Sequence, residues 1–422
     1  MSLRNGTLDD GMAIADLFHG HRMHRLAYTS PEVFDLEMSR IFGKTWVYVG
    51  HASEVAQPGD YKTTKIGREP VILTRDDSDR VTVLFNRCAH RGALVCRQER
   101  GSANRIRCLY HGWTYSTSGE LVGVPFRQGY GDDFDPSELG LARAPRVETY
   151  RGFVFASLNP AVEPLAAYLG GARPHLDAAV DAAPDGEIVV APSVQKHAYH
   201  GNWKLHLENF VDSYHPSFTH EATFARRVAR TGVQPGRADT GSHNVALGHG
   251  HALIDYLAAK DGPRRDRHGV NLAIFPNLLV CTPHRDIRII RPIRVDYTET
   301  LTYHYRLKGA SPEVNRQAVR TTTLAIGAAG LVQPDDFEAY ERIQEGLAVN
   351  CMDWTHFGRG VEREQVLPNG EIRGMGADEV GNRGQHREYR RLLLQEPRPC
   401  CLPDGTCQGA QAEINTLQGS LA

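Results

Sequence analysis

Two short loops constrain this chain more than any other feature. Cys88-Ala89-His90 is followed, after 17 residues, by Cys108-Leu109-Tyr110-His111. Each loop offers one thiol and one imidazole, and a glycine follows each histidine at Gly92 and Gly112. A structural zinc finger groups cysteines in one pair and histidines in the other. Here the order is interleaved, which suits a [2Fe–2S] cluster with two thiolates on one iron and two imidazoles on the other. Neutral imidazole removes negative charge from such a cluster and raises its potential to roughly −150 to +300 mV. The two glycines allow tight turns that aim backbone amides at sulfur, and hydrogen bonds of that kind tune the potential. A zinc site is the competing reading. Cys96 lies between the loops but off the pattern, as a buried thiol. Cys400, Cys401 and Cys407 sit in a polar tail without histidines at useful spacing and read as plain thiols.

A second stretch, Leu207 to His220, packs two carboxylates, an amide and two imidazoles together. Read as a helix, Glu208, Asp212 and His215 fall at i, i+4 and i+7 and share one face. That face is the one a helix would bury, so these groups are expected to line an interior site. Pro216 disfavours the α conformation at His215, so the helix is expected to end there, with a bend before His220. Neutral imidazole is the commonest metal ligand, and His215 and His220 are read as two ligands of one transition metal. The competing reading is a pair of ordinary helix-end or loop histidines.

The chain has 422 residues, 41% hydrophobic and 23% charged, enough for two domains or one large one. A net charge of −2 gives no global pull toward nucleic acid or an anionic membrane. The opening MSLRNGTLDDGM lacks an apolar core, so no secretory signal is expected. A cytoplasmic protein with reduced thiols follows, and its eight cysteines are not read as a disulfide framework. Residues 1–43 read as an N-terminal segment helical in patches, packing on the catalytic domain, with Ser30 as N-cap and Pro31 at the first helical position. Residues 44–160 alternate short β-rich runs with turn residues and read as an all-β domain. Residues 161–422 read as an α+β domain. It has strands at 188–200, Leu272–Thr282, Ile287–Val295 and Thr300–Leu307, and helices over Pro312–Gly330 and Asp336–Leu347. The last 60 or so residues give no clear pattern.

The segments NRCAHRG, CLYHGWTY and, about a hundred residues on, NWKLHLENFVDSYHPSFTH together resemble the large (α) subunit of Rieske non-haem iron aromatic-ring-hydroxylating oxygenases. The resemblance runs from Trp46 to about Leu347. It implies an α+β fold in which an all-β Rieske [2Fe–2S] domain, held by Cys88, His90, Cys108 and His111, precedes a helix-grip (START/Bet v 1-like) catalytic domain with an antiparallel sheet. It also implies a mononuclear Fe(II) whose third ligand is an aspartate downstream. Two acids compete in Pro334-Asp335-Asp336-Phe337-Glu338. Asp335 with Glu338 fits a capping box, which would occupy Asp335 with backbone amides and leave Asp336 free. Asp336 is therefore taken, with Asp335 as the alternative. Two histidines and a carboxylate on one face of Fe(II) leave positions open for O2 and substrate. In the family, the aspartate matching Asp212 bridges a histidine of the mononuclear iron to a Rieske histidine, usually across a subunit boundary. Asn209 is expected near the iron as a non-ligand, with Glu208 less firmly placed.

The chain carries no glycine-rich dinucleotide fingerprint, so NADH is expected to act through a partner reductase, with or without a ferredoxin. The resemblance implies O2-dependent cis-dihydroxylation of an aromatic ring and an α3β3 assembly with a small β subunit, or α3 without it. The size resembles members acting on small aromatic carboxylates such as benzoate, anthranilate, salicylate or terephthalate. A carboxylate needs a cation in an apolar pocket. Arg288, alternating with Ile287 and Ile289 in a predicted strand, is the candidate; a surface arginine is the competing reading. His249 and His251 could line the pocket or the surface. A monooxygenase or O-demethylase on an aromatic acid is the alternative reaction, and a pure electron-transfer Rieske protein would lack the second iron.

Overall fold

A computed structural model describes residues 8, 11–223, 225, 242–256 and 269–395 of the chain. Ser30 caps the helix Pro31–Leu36 by accepting from the Val33 amide, as its sequence predicts. The β-rich first half forms a four-stranded antiparallel sheet, in the order Val81–Phe85, Glu69–Arg75, Asp60–Ile66 and Arg100–Ser102. Two three-stranded sheets join it, one of Arg105–Arg107, Thr114–Ser116 and Leu121–Gly123, the other of Val47–His51, Phe153–Ser157 and Arg146–Tyr150. Ile72, Leu84, Val95, Ile106, Trp113, Tyr115 and Leu141 make a small separate core around Cys88 and Cys108.

The second half is built on a nine-stranded antiparallel sheet. Its first strand, Ile188–Tyr199, pairs with Tyr297–Leu307, and from there the sheet runs back through Asp286–Arg294, Leu278–Cys281, Gly269–Ile274, His251–Tyr256 and His243–Gly248. The excursion between the first strand and His243 carries the helix Trp203–Phe210 across one face. Side chains alternate along each strand, and both faces are buried. Ile287, Ile289, Leu301 and Tyr303 face one core, with Trp46, Phe153 and the helices Leu165–Leu169 and Arg173–Asp181. Ile290, Leu279, Ala273 and Ala252 face the other, beneath Trp203, Phe210, Tyr340 and Tyr389. An antiparallel sheet gripped by helices is the helix-grip architecture, so the chain is α+β as its sequence implies. The run Leu272–Thr282, expected as one strand, is two. Pro276 cannot donate to a ladder, and the chain reverses there between Gly269–Ile274 and Leu278–Cys281. In that turn the Asn277 amide donates to Tyr48 O and accepts from Tyr48 N, both at 3.0 Å, tying the β-rich half to the sheet.

Val380–Leu394, for which the sequence offers no prediction, is a helix lying directly on the sheet. A Cβ at Gly381 would stand 2.7 Å from Asn244 Oδ1, and one at Gly384 would stand 2.6 Å from Ala246 Cβ. Glycine at these two positions is what lets helix and strand approach so closely. The N-terminal segment locks the same region. Glu37, fully buried in Glu37–Phe42, receives Trp203 Nε1 at 2.8 Å, Tyr389 Oη at 2.6 Å and the Lys204 ammonium. A buried carboxylate with three donors is compensated; removing one partner would strand a charge.

Candidate metal centres

The two Cys/His loops are copies of one turn. Cys88 N donates to Ala93 O at 2.8 Å and Gly92 N to Cys88 O at 3.0 Å; Cys108 N donates to Trp113 O at 2.8 Å and Gly112 N to Cys108 O at 3.1 Å. Gly92 and Gly112 hold φ of +77° and +73°, the left-handed region where glycine carries no Cβ penalty. The loops meet with His90 and His111 rings 4.6 Å apart, and His90 stacks on Trp113 at 4.8 Å. Both cysteines are buried, and His90 Nδ1 is buried without a hydrogen-bond partner among the described residues. A buried imidazole nitrogen left open beside two buried thiols is the donor set a cluster with mixed thiolate and imidazole ligation requires. Tyr115, which sequence reasoning passes over, places its hydroxyl 3.1 Å from Cys88 Sγ and accepts from the Ala89 amide. Its cue is the Trp113-Thr114-Tyr115 alternation, which returns Tyr115 to the Trp113 side. Leu109 and Tyr110, at the loop tip, are 59% and 55% exposed.

The second centre forms where the helix Trp203–Phe210 ends. Asn202 caps its start, accepting from Lys204 N. The helix stops at Val211, four residues earlier than expected, so Glu208, Asp212 and His215 do not share a helical face. Glu208 points away from the histidines, accepting from Tyr28 Oη at 2.7 Å and lying 2.8 Å from His386 Nε2. Pro216 does not keep His215 out of the α region: His215 has φ −59° and ψ −32° and precedes a fresh turn, Pro216–Thr219. That turn delivers His220 opposite His215, with ring centroids 5.5 Å apart. Asp336 arrives from the helix Gln333–Leu347, its Oδ1 standing 3.5 Å from His215 Nε2 and 3.1 Å from His220 Nε2. One ligand atom from each of the three lies within 4.8 Å of the others.

Asp335 is not an N-cap. The helix begins three residues earlier than expected, after Val332 and without a side-chain cap, and Glu338 pairs with Arg342 instead. Asp335 lies 3.1 Å from His220 Nδ1, as Asp212 Oδ2 lies 3.3 Å from His215 Nδ1. Each imidazole thus has a carboxylate behind it, the arrangement that orients ligating histidines. Asn209 Nδ2 sits 3.2 Å from His215 Nε2 and 3.3 Å from Asp336 Oδ1. Burial disfavours charge on His215, yet the carboxylates of Asp212 and Asp336 beside the ring outweigh it and lift the imidazole to about 9. His220 is raised in the same way, against its burial, by Asp336. Asp336, also against burial, is held far below the carboxylate range by both histidines. A point that gathers protons this strongly is one where a divalent cation would displace them.

Residues 45–150 match the Rieske [2Fe-2S] domain family, and residues 167–395 match the catalytic domain of the ring-hydroxylating alpha subunit. The chain belongs to the ring-hydroxylating alpha-subunit family. It is 33% identical to the 2-halobenzoate 1,2-dioxygenase large subunit of Burkholderia cepacia over 89% of this chain and 87% of that one. It is 35% identical to the toluate 1,2-dioxygenase subunit alpha of Pseudomonas putida over 79% and 80%. Its fold superposes on naphthalene 1,2-dioxygenase from Rhodococcus sp. bound to indole with a TM-score of 0.81 at 26% identity, covering 91% of this chain and 97% of that one. As a ring-hydroxylating alpha subunit, the chain is an oxidoreductase, the terminal oxygenase component of a dioxygenase system. Its cofactors are a Rieske [2Fe–2S] cluster and a mononuclear iron, and its electrons come from NADH through a partner reductase or ferredoxin. No helix among the described residues is long and apolar enough to cross a membrane.

In this alpha subunit Arg288 is no surface residue. It is 7% exposed, its guanidinium lies 5.1 Å over the Phe210 ring, and Nε donates to Asp286 Oδ1 at 2.8 Å. His206, beside it, is pushed down to about 3, by burial first and then by Arg288. His251 is structural: its ring lies 2.9 Å from Tyr168 O and accepts from Phe275 N. His249 Nε2 lies 3.3 Å from Glu163 Oε2. Cys96 is a buried thiol, pushed up to about 12 by burial. Cys400, Cys401 and Cys407 lie outside the described residues.

Proposed function

We propose that this chain dihydroxylates a small aromatic carboxylate. The carrying observation is the buried cation Arg288 against Phe210, the last residue of the helix that leads to His215. The relatives named for halobenzoate, toluate and anthranilate support the same substrate class. We assign the cluster to Cys88, His90, Cys108 and His111, and the mononuclear iron to His215, His220 and Asp336. When bound, these groups supply electron transfer and O2 activation. The chain's own residues do the rest. Asp212 and Asp335 fix the two imidazoles by taking their outer N–H groups. Asn209 spaces His215 from Asp336. Arg288 anchors the substrate carboxylate, and Phe210, Ile290 and Phe337 keep water from the ring.

Every hydrogen bond of Asp212 among the described residues stays within its own turn, and its side chain is 28% exposed. The histidine edge of the cluster turn is also open. This supports a trimer in which Asp212 of one subunit meets the cluster edge of another, within α3β3, or α3 if no β subunit binds. We divide the chain into an N-terminal segment, 1–43, a cluster domain, 44–160, and a catalytic domain, 161–422, and place the protein in the cytoplasm, in keeping with the unbridged cysteines Cys96, Cys281 and Cys351.

Steady-state turnover with the reductase tests this reading. Arg288→Ala should raise KM for benzoate by roughly 10- to 100-fold, the worth of hydrogen bonds to a charged group, and leave toluene nearly unchanged. Equal effects on both, or toluene preferred over every acid, would refute it. With labelled O2, both atoms should enter the product; a single atom would favour the monooxygenase alternative.

A further inference from the structure

The register sets three polar side chains in one row. Gln195 on Ile188–Tyr199 pairs with Thr302 on Tyr297–Leu307, and Thr302 pairs with Arg288 on Asp286–Arg294. Neighbouring strands lie about 4.8 Å apart, so the row spans about 10 Å. Its face is fixed by alternation. Leu301, Tyr303, Ile287 and Ile289 pack in the opposite core, so Thr302 and Arg288 face the helices. The row lies under the two helices that carry the mononuclear site. Arg288 stacks on Phe210, and His197, one row over, lies 5.2 Å from the ring of Phe337, the residue after Asp336.

This row is short of partners. Gln195 Oε1 and Thr302 Oγ1 are buried with no hydrogen bond among the described residues, as is His197 Nδ1 beside them. Arg288 uses only Nε, on Asp286, and its terminal nitrogens make no hydrogen bond among the described residues. Buried polar groups are nearly always satisfied, so this many open ones in a single patch mark the place of a polar ligand. The chemistry of that ligand follows from the charges. Asp286 already compensates much of Arg288, so the guanidinium alone is a weak trap for an anion. A desolvated carboxylate has about four acceptor positions. The two terminal nitrogens of Arg288, the Thr302 hydroxyl and the Gln195 amide can supply them. Turning that amide over puts its NH2 where the unpartnered oxygen now stands and its oxygen at His304 Nε2, which lies 3.1 Å from the amide nitrogen.

We propose that Gln195 and Thr302 complete, with Arg288, a cradle for the substrate carboxylate, each neutral group being a specificity-determining residue. The proposal rests on the aromatic-acid reading above. The test uses the iron-loaded oxygenase with benzoate and toluene, which differ only in the carboxylate, and measures Kd by equilibrium dialysis and KM by turnover. Thr302→Val and Gln195→Leu should each weaken benzoate about ten- to a hundredfold, the worth of one hydrogen bond to a charged group, with toluene unchanged. Thr302→Ser, which keeps the hydroxyl, should bind benzoate like the parent. Equal losses for both probes, or none for either, would overturn the cradle and leave only ordered water in the row. If the parent protein does not prefer benzoate to toluene, the aromatic-acid reading falls as well. If Arg288→Ala abolishes that preference while Thr302→Val and Gln195→Leu keep it, the cradle alone falls.

Discussion

The two metal centres of this chain are built in opposite ways. The cluster turn is local: each loop holds its own cysteine and histidine and closes with its own glycine, and the edge faces outward. The mononuclear site is assembled from a helix end, a separate turn and a helix that begins over a hundred residues later. It is buried, and every imidazole is backed by a carboxylate. The difference teaches that a redox centre meant to pass electrons can be a self-contained surface module. A centre meant to hold a substrate has to be closed in by distant parts of the fold.

The largest effects are expected at the buried centre. Asp336→Ala removes a proposed ligand and leaves two histidines without their shared carboxylate; turnover should be abolished while the Rieske absorption spectrum persists. A variant that lost its cluster too would show the two centres to be structurally interdependent. Asp212→Asn should be milder. It keeps the shape but weakens the grip on His215, and a change of this kind costs about 10- to 100-fold in activity or metal affinity. Stopped-flow reduction of the cluster should be unaffected, and its reoxidation in the presence of substrate and O2 should slow.

The local centre is sharpened by a smaller change. Tyr115→Phe removes the hydroxyl beside Cys88 Sγ. That hydrogen bond favours the more negative, reduced cluster, so its loss should lower the potential by tens of millivolts, with about 59 mV corresponding to a tenfold shift in a one-electron equilibrium. Square-wave voltammetry would detect it, and an unchanged potential would place the hydroxyl outside the cluster's influence. Smallest is a pH effect on iron-free protein. His215 is raised to about 9 when folded, against an ordinary value of 6.5. The stabilisation this carries is complete below 6.5 and lost as pH rises through 9. Urea midpoints of the iron-free protein should therefore decline across that window, and ferrous ion should flatten the decline by replacing the protons. A midpoint independent of pH would contradict it.

How much of this was legible follows the same division. The cluster turn was readable because its cysteines, histidines, spacing and glycines lie within one stretch of chain. The all-β first half and most sheet strands were readable from alternation. Asp336 is reached in sequence reasoning through a cap on Asp335 that does not form; the helix starts earlier, and Asp335 instead backs His220. The helix end at Val211 was hidden because Phe210-Val211-Asp212 carries no helix breaker. Val380–Leu394 was hidden because polar residues interrupt the apolar ones on its buried face, Val380, Tyr389, Leu392 and Leu393. Asn382, Arg383, Gln385 and Glu388 are all buried there, with partners such as Glu208 O for Asn382 and Glu364 for Arg383. A helix whose inward face mixes buried polar and apolar residues leaves only a broken hydrophobic stripe to read. The row of Gln195, Thr302 and Arg288 was invisible because strand register, not spacing, creates it.

We propose that a lone iron is held at His215, His220 and Asp336, apart from the cluster. A [2Fe–2S] cluster contains equal iron and acid-labile sulfide, so counting both on purified protein isolates the lone ion. The structure predicts iron in excess of sulfide by one per chain, with that excess alone lost in Asp336→Ala. Equal iron and sulfide in the parent protein after loading with ferrous ion would contradict it.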